Sequence, residues 1–235
     1  MTEFTIGTEK FRVGMKEFRI GGVSIKWLGH SSFIIEYTKK IYIDPFKINE
    51  QKNDADIVLI SHEHYDHFSP DDLRKVINEN TAIILTPDCL SKLSRFVNEG
   101  KTYMVRPGEK MKIGEKIILE ILPAYNINKF KAPGLPFHPK ANEWVGYVIN
   151  FDSIRIYFAG DTDFVPELRD LKVDVAIVPV SGTYVMTADE AADFVNSTHP
   201  KYAIPMHYGD FIGNQSNAER FKSLAKSEVI ILEKS

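Results

Sequence analysis

Six consecutive positions, His62-Glu63-His64-Tyr65-Asp66-His67, carry four side chains able to bind a divalent cation, and a metal site needs such a convergence of donors. In a tight loop, His62 and His64 can face one cation while Asp66 and His67 turn towards a second, which ordinary core packing would not demand. Two cations sharing a water lower its pKa towards neutrality and leave a hydroxide aimed at a carbonyl or phosphoryl group. The chemistry on offer is therefore hydrolysis. Imidazole suits zinc, but carboxylates also suit manganese or iron, so one or two divalent transition ions are expected, with zinc the first choice.

The elements around this run must hold it still. Asp56 to Ile60 is a compact apolar stretch with the character of a buried strand, and the histidines begin directly after it, on a loop at the strand's carboxyl end. Upstream, Val23 to Leu28, Phe33 to Tyr37 and Ile41 to Ile43 are separated by short polar breaks, which predicts antiparallel strands. Downstream, Ser69-Pro70-Asp71-Asp72 has the cap, the proline and the acidic first turn of a helix running to about Asn78. Ala82 to Leu85 is the next strand, Asp88 to Val97 a helix, and Lys116 to Leu122 a longer strand.

Pro123 to Trp144 breaks the alternation. It is rich in Pro, Gly, Asn and Lys with interspersed aromatics, and a loop of that length suits a lid or a substrate wall. Lys129, Lys131 and Lys140 can attract an anionic group there, and Phe130, Phe137 and Trp144 can form an apolar wall. Trp144 to Asn150 and Ile154 to Phe158 then predict a hairpin, followed by strands at Val173 to Val180 and Tyr202 to Met206. Helices are expected near Thr187 to Asn196 and Ser216 to Lys226, and an apolar run at Val229 to Leu232 closes the chain.

With 235 residues, 43% of them hydrophobic, one domain over 1–235 is the expected organisation. The formal charge of −3 and the mixing of Lys with Asp and Glu give no basic field for nucleic acid. Cys89 is the single cysteine, so no internal disulfide is possible and a reducing compartment fits. The alternation of charge and hydrophobe at Glu3, Phe4, Glu9, Lys10, Phe11 and Arg12 differs from a secretory signal, and no stretch approaches the ~18 apolar residues of a membrane span. A cytoplasmic protein with no membrane or nucleic-acid partner is expected, its ligand a small molecule and its oligomeric state open.

The run from His62 to His67 matches the H-x-H-x-D-H motif of the metallo-β-lactamase superfamily. Further landmarks of that superfamily are similar to Asp44 in Ile43-Asp44-Pro45, Asp161 in Ala159-Gly160-Asp161-Thr162, and His207 in Pro205-Met206-His207-Tyr208-Gly209. Trp27-Leu28-Gly29-His30, Pro123-Ala124-Tyr125-Asn126, Phe137-His138-Pro139-Lys140 and Gly160-Asp161-Thr162-Asp163 resemble a branch of metal-dependent hydrolases near ascorbate-6-phosphate lactonase, with N-acyl phosphatidylethanolamine phospholipase D more distant. The resemblance implies an α/β fold, a four-layer αββα sandwich with its metal centre at one edge between two sheets. It also implies ligands: His62 and His64 on a first metal, Asp66, His67 and His207 on a second, and Asp161 bridging.

One departure from the superfamily pattern matters. Where a third histidine usually completes the first site, this chain has Tyr125-Asn126, and His138 in the long loop is the nearest candidate to take its place. Beside two prolines, it can equally be a surface residue or a substrate contact. Without a third ligand the enzyme would work with one tightly held metal or bind two only with substrate. Asp44 and His30 are expected to orient the ligands, since a ligating histidine usually gives its second ring proton to a carboxylate or carbonyl.

The expected function is hydrolysis by a metal-bound hydroxide, with Asp66 as the catalytic residue, acting on an ester, lactone or phosphate ester of a small, possibly anionic metabolite. A phosphodiesterase and a catalytically degenerate metal-binding protein are the alternatives. An oxidoreductase on this scaffold would more often carry glutamate at the place of His64, and a nuclease would call for a basic groove.

Overall fold

Alternating apolar side chains from Val23 onward bury one face of a run of strands, and the short polar turns between them leave antiparallel pairing as the only close connection. In a computed structural model that describes residues 14–93, 101–209 and 211–235, these strands open the first of two seven-stranded sheets. The charged residues from Glu3 to Arg12, and the expected helical residues beyond position 93, lie outside the described residues.

The first sheet runs β1 (Phe18–Ile20), β2 (Val23–Gly29), β3 (Ser32–Glu36), β4 (Lys40–Ile43), β5 (Ile57–Leu59), β6 (Ala82–Leu85) and β7 (Thr102–Met104), in that spatial order. Pairing is antiparallel from β1 to β4 and parallel from β4 to β7. The chain continues through β8 (Lys110–Ile113) and β9 (Ile117–Pro123), then a small hairpin of β10 (Phe130–Ala132) and β11 (Leu135–Pro136) within the long loop. β12 (Val145–Phe151), β13 (Ile154–Phe158), β14 (Val175–Pro179), β15 (Tyr202–Met206) and β16 (Glu228–Val229) complete the second sheet, ordered β16-β15-β14-β13-β12-β9-β8. It too is antiparallel at one side and parallel from β13 to β16.

Both sheets contribute to one hydrophobic cluster. Phe33 and Ile35 of the first meet Phe158 and Tyr147 of the second within it, and Phe33 packs edge-on to Phe158 at 6.1 Å. Under the outer face of the first sheet, a second cluster joins Val58 and Ile83 to Leu73 and Val76 of α1 (Pro70–Val76) and Cys89 and Leu93 of α2 (Pro87–Leu93). The second sheet is covered by α3 (Ala188–Thr198) and α4 (Gln215–Leu224), through Ala191, Phe194, Val195 and Phe221. The order helix, sheet, sheet, helix is the αββα sandwich.

The local helix signals act as the sequence predicts. Ser69 caps α1 by accepting from the Asp72 amide at 3.3 Å, and α3 starts in a capping box between Thr187 and Glu190. Differences from expectation are confined to short pieces. β1 and the β10–β11 hairpin are too short and exposed to carry a periodic signal, and the closing apolar run contributes only Glu228–Val229 to the sheet, Leu232 reaching Met15 by an isolated bridge. No helix of the described residues is long and apolar enough to cross a membrane.

What this topology does for function is to bring strand ends together. β4, β5, β13 and β15 all belong to the parallel parts of their sheets, and each is followed directly by a turn carrying a polar residue: Asp44, His62, Asp161 and His207 respectively. Loops at the carboxyl ends of strands in such sheets are where ligands are held.

Candidate metal centre

Asp161 sits at the middle of the assembled side chains. Its Oδ2 lies 3.2 Å from His138 Nε2, 3.3 Å from His207 Nε2 and 4.0 Å from His62 Nε2, and its Oδ1 lies 3.2 Å from His67 Nε2. The backbone is pressed close to get it there. At Gly160 (φ +63°) a Cβ would stand 2.7 Å from the Val145 carbonyl, and one at Gly146 would stand 2.7 Å from that of Ala159, so neither position has room for a side chain.

Three overlapping groups have donor atoms within 4.8 Å of one another: His62, His64 and His138; His30, Asp66, His67 and His207; and His62, His67 and Asp161. Every sequence-predicted ligand is thus in one cluster. His138, left open from sequence as a ligand, a surface residue or a substrate contact, stands with the two histidines of the first group. The reason lies in Asn126, read from sequence as the departure from the pattern. Its Oδ1 accepts from both the His138 amide at 2.8 Å and the His138 Nδ1 at 2.9 Å, while its Nδ2 donates to the Tyr184 carbonyl, and this folds the long loop back over the site.

Four of the rings, those of His62, His67, His138 and His207, are held by the far nitrogen. Asp44 is fully buried and accepts from the Ser61 amide (2.8 Å), the Ser61 hydroxyl (2.6 Å) and His67 Nδ1 (2.7 Å). With its proton given to Asp44, the Ser61 oxygen is left to accept from His62 Nδ1 at 2.9 Å. His207 Nδ1 meets the Ser181 hydroxyl at 3.0 Å. These partners can take the Nδ1 proton, which with a cation bound would leave each Nε2 lone pair facing inward. His62, His138 and His207 Nε2, together with His67 Nε2 and Asp161 Oδ1, are buried with no hydrogen-bond partner.

Buried polar atoms without partners are costly and rare. Here they also face one another, nitrogen lone pair towards carboxylate oxygen, and such contacts are repulsive unless positive charge lies between them. The residues present fit a bound cation.

Charge divides the cluster in two. Burial drives His62 well below its ordinary pKa, with neighbouring His67, His138 and His64 adding to the effect, and burial brings His64 down to about 4. These imidazoles are neutral at physiological pH. His67 is the opposite case, because against burial the charges of Asp161, Asp44 and Asp66 raise its pKa well above the usual value. For Asp66, burial is outweighed by the charge of His67 and a hydrogen bond from His30, which bring its pKa to about 2. Asp161 is likewise held well below the carboxylate range, the charges of His207 and His67 overcoming its burial.

His30 and Asp44, expected from sequence to orient the ligands, both touch residues of the cluster. His30 Nε2 is 2.9 Å from Asp66 Oδ2, and its ring lies 4.1 Å from that of His207. His30, Asp44 and His207 all have left-handed backbone conformations (φ 51°, 44° and 57°), uncommon for residues other than glycine and clustered here at one site. Ser61 and Ser181 were not identified as positioning groups from sequence; a lone serine carries no spacing signal, though Ser61 stands beside the histidine run.

In the long loop, two of the three lysines are engaged by carboxylates: Lys129 is paired with Glu190 at 2.8 Å and Asp163 at 3.3 Å, and Lys140 with Glu167 at 2.6 Å. Of the aromatic residues, Trp144 packs against the first group of histidines, 4.8 Å from His62 and 4.6 Å from His64, with its Nε1 donating to Asp88 at 2.5 Å. Phe137 packs edge-on to Tyr184, and Phe130 is half-exposed.

Comparison with known proteins agrees with this geometry. The family model described as the beta-lactamase superfamily domain matches residues 24–207. A UPF0173 metal-dependent hydrolase of Thermococcus kodakarensis is 30% identical over 225 residues, covering 90% of this chain and 96% of the relative. Among solved structures, a metal-dependent hydrolase from Parabacteroides distasonis superposes with a TM-score of 0.77 at 31% identity, covering 93% of this chain and 98% of its own. The metallo hydrolase Igni18 from Ignicoccus hospitalis shares the fold at 21% identity, with a TM-score of 0.72 over 91% of this chain and 96% of its own.

Proposed function

The chain belongs to the metallo-β-lactamase superfamily of metal-dependent hydrolases, and we propose that it cleaves carboxylic esters or lactones of small molecules at a two-cation centre. The observation that carries this reading is the set of inward-facing, unpartnered atoms: four Nε2 nitrogens and one carboxylate oxygen, converging from separate strand ends and the long loop. In this reading His62, His64 and His138 hold one cation, Asp66, His67 and His207 a second, and Asp161 contributes to both. When bound, the cations supply a water of lowered pKa and a Lewis acid for the substrate oxygen, and zinc suits the imidazole-rich donor set.

The chain's own groups account for the rest. Asp44 and Ser61, Asn126, and Ser181 fix ring orientation before substrate arrives, so no reorganisation is needed during reaction. Asp66 is kept ionised and aimed by His30, and is placed to accept the proton of the attacking water. The water oxygen bonds to the acyl carbon, the bond from that carbon to the leaving oxygen breaks, and the proton held at Asp66 passes to that leaving oxygen. Trp144 and the loop at 123–144 wall the site on the His138 side.

An ester or lactone is favoured over a phosphate ester because two of the three loop lysines that could gather a phosphate, Lys129 and Lys140, are already paired with carboxylates. A cytoplasmic setting suits the lone buried thiol of Cys89. The test is to purify the protein without added metal, determine bound transition metals by elemental analysis, and assay 4-nitrophenyl acetate and simple lactones before and after reconstitution. Metal-dependent turnover that disappears in folded Asp66→Ala and His207→Ala variants is expected. Less than one bound metal per chain with no gain on reconstitution contradicts the proposal.

A further inference from the structure

Beside the Asp66 half of the centre, the rim carries three aromatic rings that the core does not use. Phe46 lies 6.0 Å from Tyr65 and 6.0 Å from Phe211, and Tyr65 and Phe211 are 6.3 Å apart, all between ring centroids. Tyr65 is 68% exposed and Phe211 41%. The cluster is joined to the site: the Phe211 ring stands 4.7 Å from that of His30, and Tyr65 lies in the chain between His64 and Asp66. Leaving such rings in water forfeits the burial that aromatic side chains ordinarily gain, unless a ligand covers them.

Lys47 completes the patch. Its Nζ lies 5.4 Å from the centre of the Phe46 ring and 4.9 Å from that of Phe211, within cation–π range of both. Among the described residues, no carboxylate forms an ion pair with it, in contrast to Lys129 and Lys140. Its backbone is in the left-handed region (φ 53°), and it is held there by Asp72, which accepts from the Lys47 amide at 2.8 Å and the Ile48 amide at 3.0 Å. The strained turn, secured by a buried carboxylate, displays the ammonium over the rings.

We propose that Phe46, Tyr65, Phe211 and Lys47 form a specificity subsite for a substrate whose apolar portion ends in a carboxylate. The inference rests on the ester or lactone hydrolysis proposed above and names the substrate class for it. Hydrocarbon laid on the three rings would be removed from water, and the terminal carboxylate would pair with the Lys47 ammonium. A monoanion fits better than a phosphate, because a phosphate dianion calls for several converging donors and this patch presents one ammonium amid rings.

The test compares the metal-loaded enzyme on two esters of equal length, mono-4-nitrophenyl adipate and 4-nitrophenyl hexanoate. The ratio of kcat/KM for the charged ester over the neutral one should fall about fivefold in Lys47→Met, through KM, and be restored in Lys47→Arg. Rising salt should erode the same ratio in the parent enzyme. A ratio unmoved by Lys47→Met overturns the subsite.

If the parent enzyme cleaves neither ester, the ester reading of the centre fails separately, and binding decides the subsite. Calorimetric titration with 5-phenylpentanoate and 5-phenylpentanol should then show a preference for the acid that Lys47→Met weakens, with Phe211→Ser weakening both ligands. Binding of both ligands left unchanged by Phe211→Ser, or a preference for the acid that survives Lys47→Met, contradicts it.

Discussion

The two halves of the centre are built by different means. His62, His64 and His138 are rings packed against Trp144, with His62 and His64 stripped of charge by burial. On the other side, Asp66, His67 and His207 are backed by His30, Asp44 and Ser181, and carboxylates hold positive charge on His67. Asp161 lies between the two. The difference teaches that burial keeps His62 and His64 neutral and ready for a cation in the first half, whereas in the second the surrounding carboxylates favour a proton on His67 that a cation must displace.

The largest expected effect comes from breaking the charged half. Asp66→Ala removes the ionised group nearest the reaction, and kcat should fall by about 10³-fold, in the range for loss of a positioned proton acceptor, with the fold retained by circular dichroism. A residual rate within tenfold of the parent enzyme would place the proton transfer elsewhere.

Removing the groups behind the ligands sharpens the contrast. Asp44→Ala should weaken metal binding in both halves by about 10- to 100-fold, in the second because it releases His67 and in the first because it releases Ser61, which orients His62. Asn126→Ala should weaken only the first half by a similar factor through His138. Competition with a calibrated chelator measures both, and an effect of Asn126→Ala on the second half alone would break the division.

Acid should separate the halves as well. A histidine whose pKa is depressed stays neutral until the pH falls to that depressed value, so His64, at about 4, remains available well below neutrality. One whose pKa is raised is protonated below its raised value, so protons already compete at His67 near neutral pH. On lowering the pH, the second half should lose its metal first, followed by elemental analysis after dialysis at stepped pH. Loss of the first half ahead of the second would contradict the electrostatic account.

The smallest expected effect is steric. Gly160→Ala places a Cβ 2.7 Å from the Val145 carbonyl in a left-handed backbone, at a cost of about 1–3 kcal/mol, readable as a lowered Tm. It should disturb both halves equally, because Asp161 is the next residue.

Much of this was legible in the sequence, for definite reasons. The run from His62 to His67 is readable because its donors are adjacent, and Asp161 and His207 because the motifs around them resemble those of the superfamily, each after an apolar run that reads as a strand. His138 was ambiguous, since in a loop without periodicity the position of a side chain depends on long-range bonds such as those to Asn126, a residue that reads as a defect until its partner is seen. Ser181 was invisible for the same reason. The pairing of Lys129 and Lys140 was not legible because Glu190 and Glu167, which hold them, lie 61 and 27 positions away in the chain.

The most direct test of the two-part centre is metal stoichiometry by elemental analysis of the reconstituted parent protein beside His138→Ala and His207→Ala. The account predicts about two equivalents of metal in the parent and about one in each variant, as expected when each histidine serves a different ion of a two-metal site. Two equivalents retained in His138→Ala, or a parent protein that saturates at one, would contradict it.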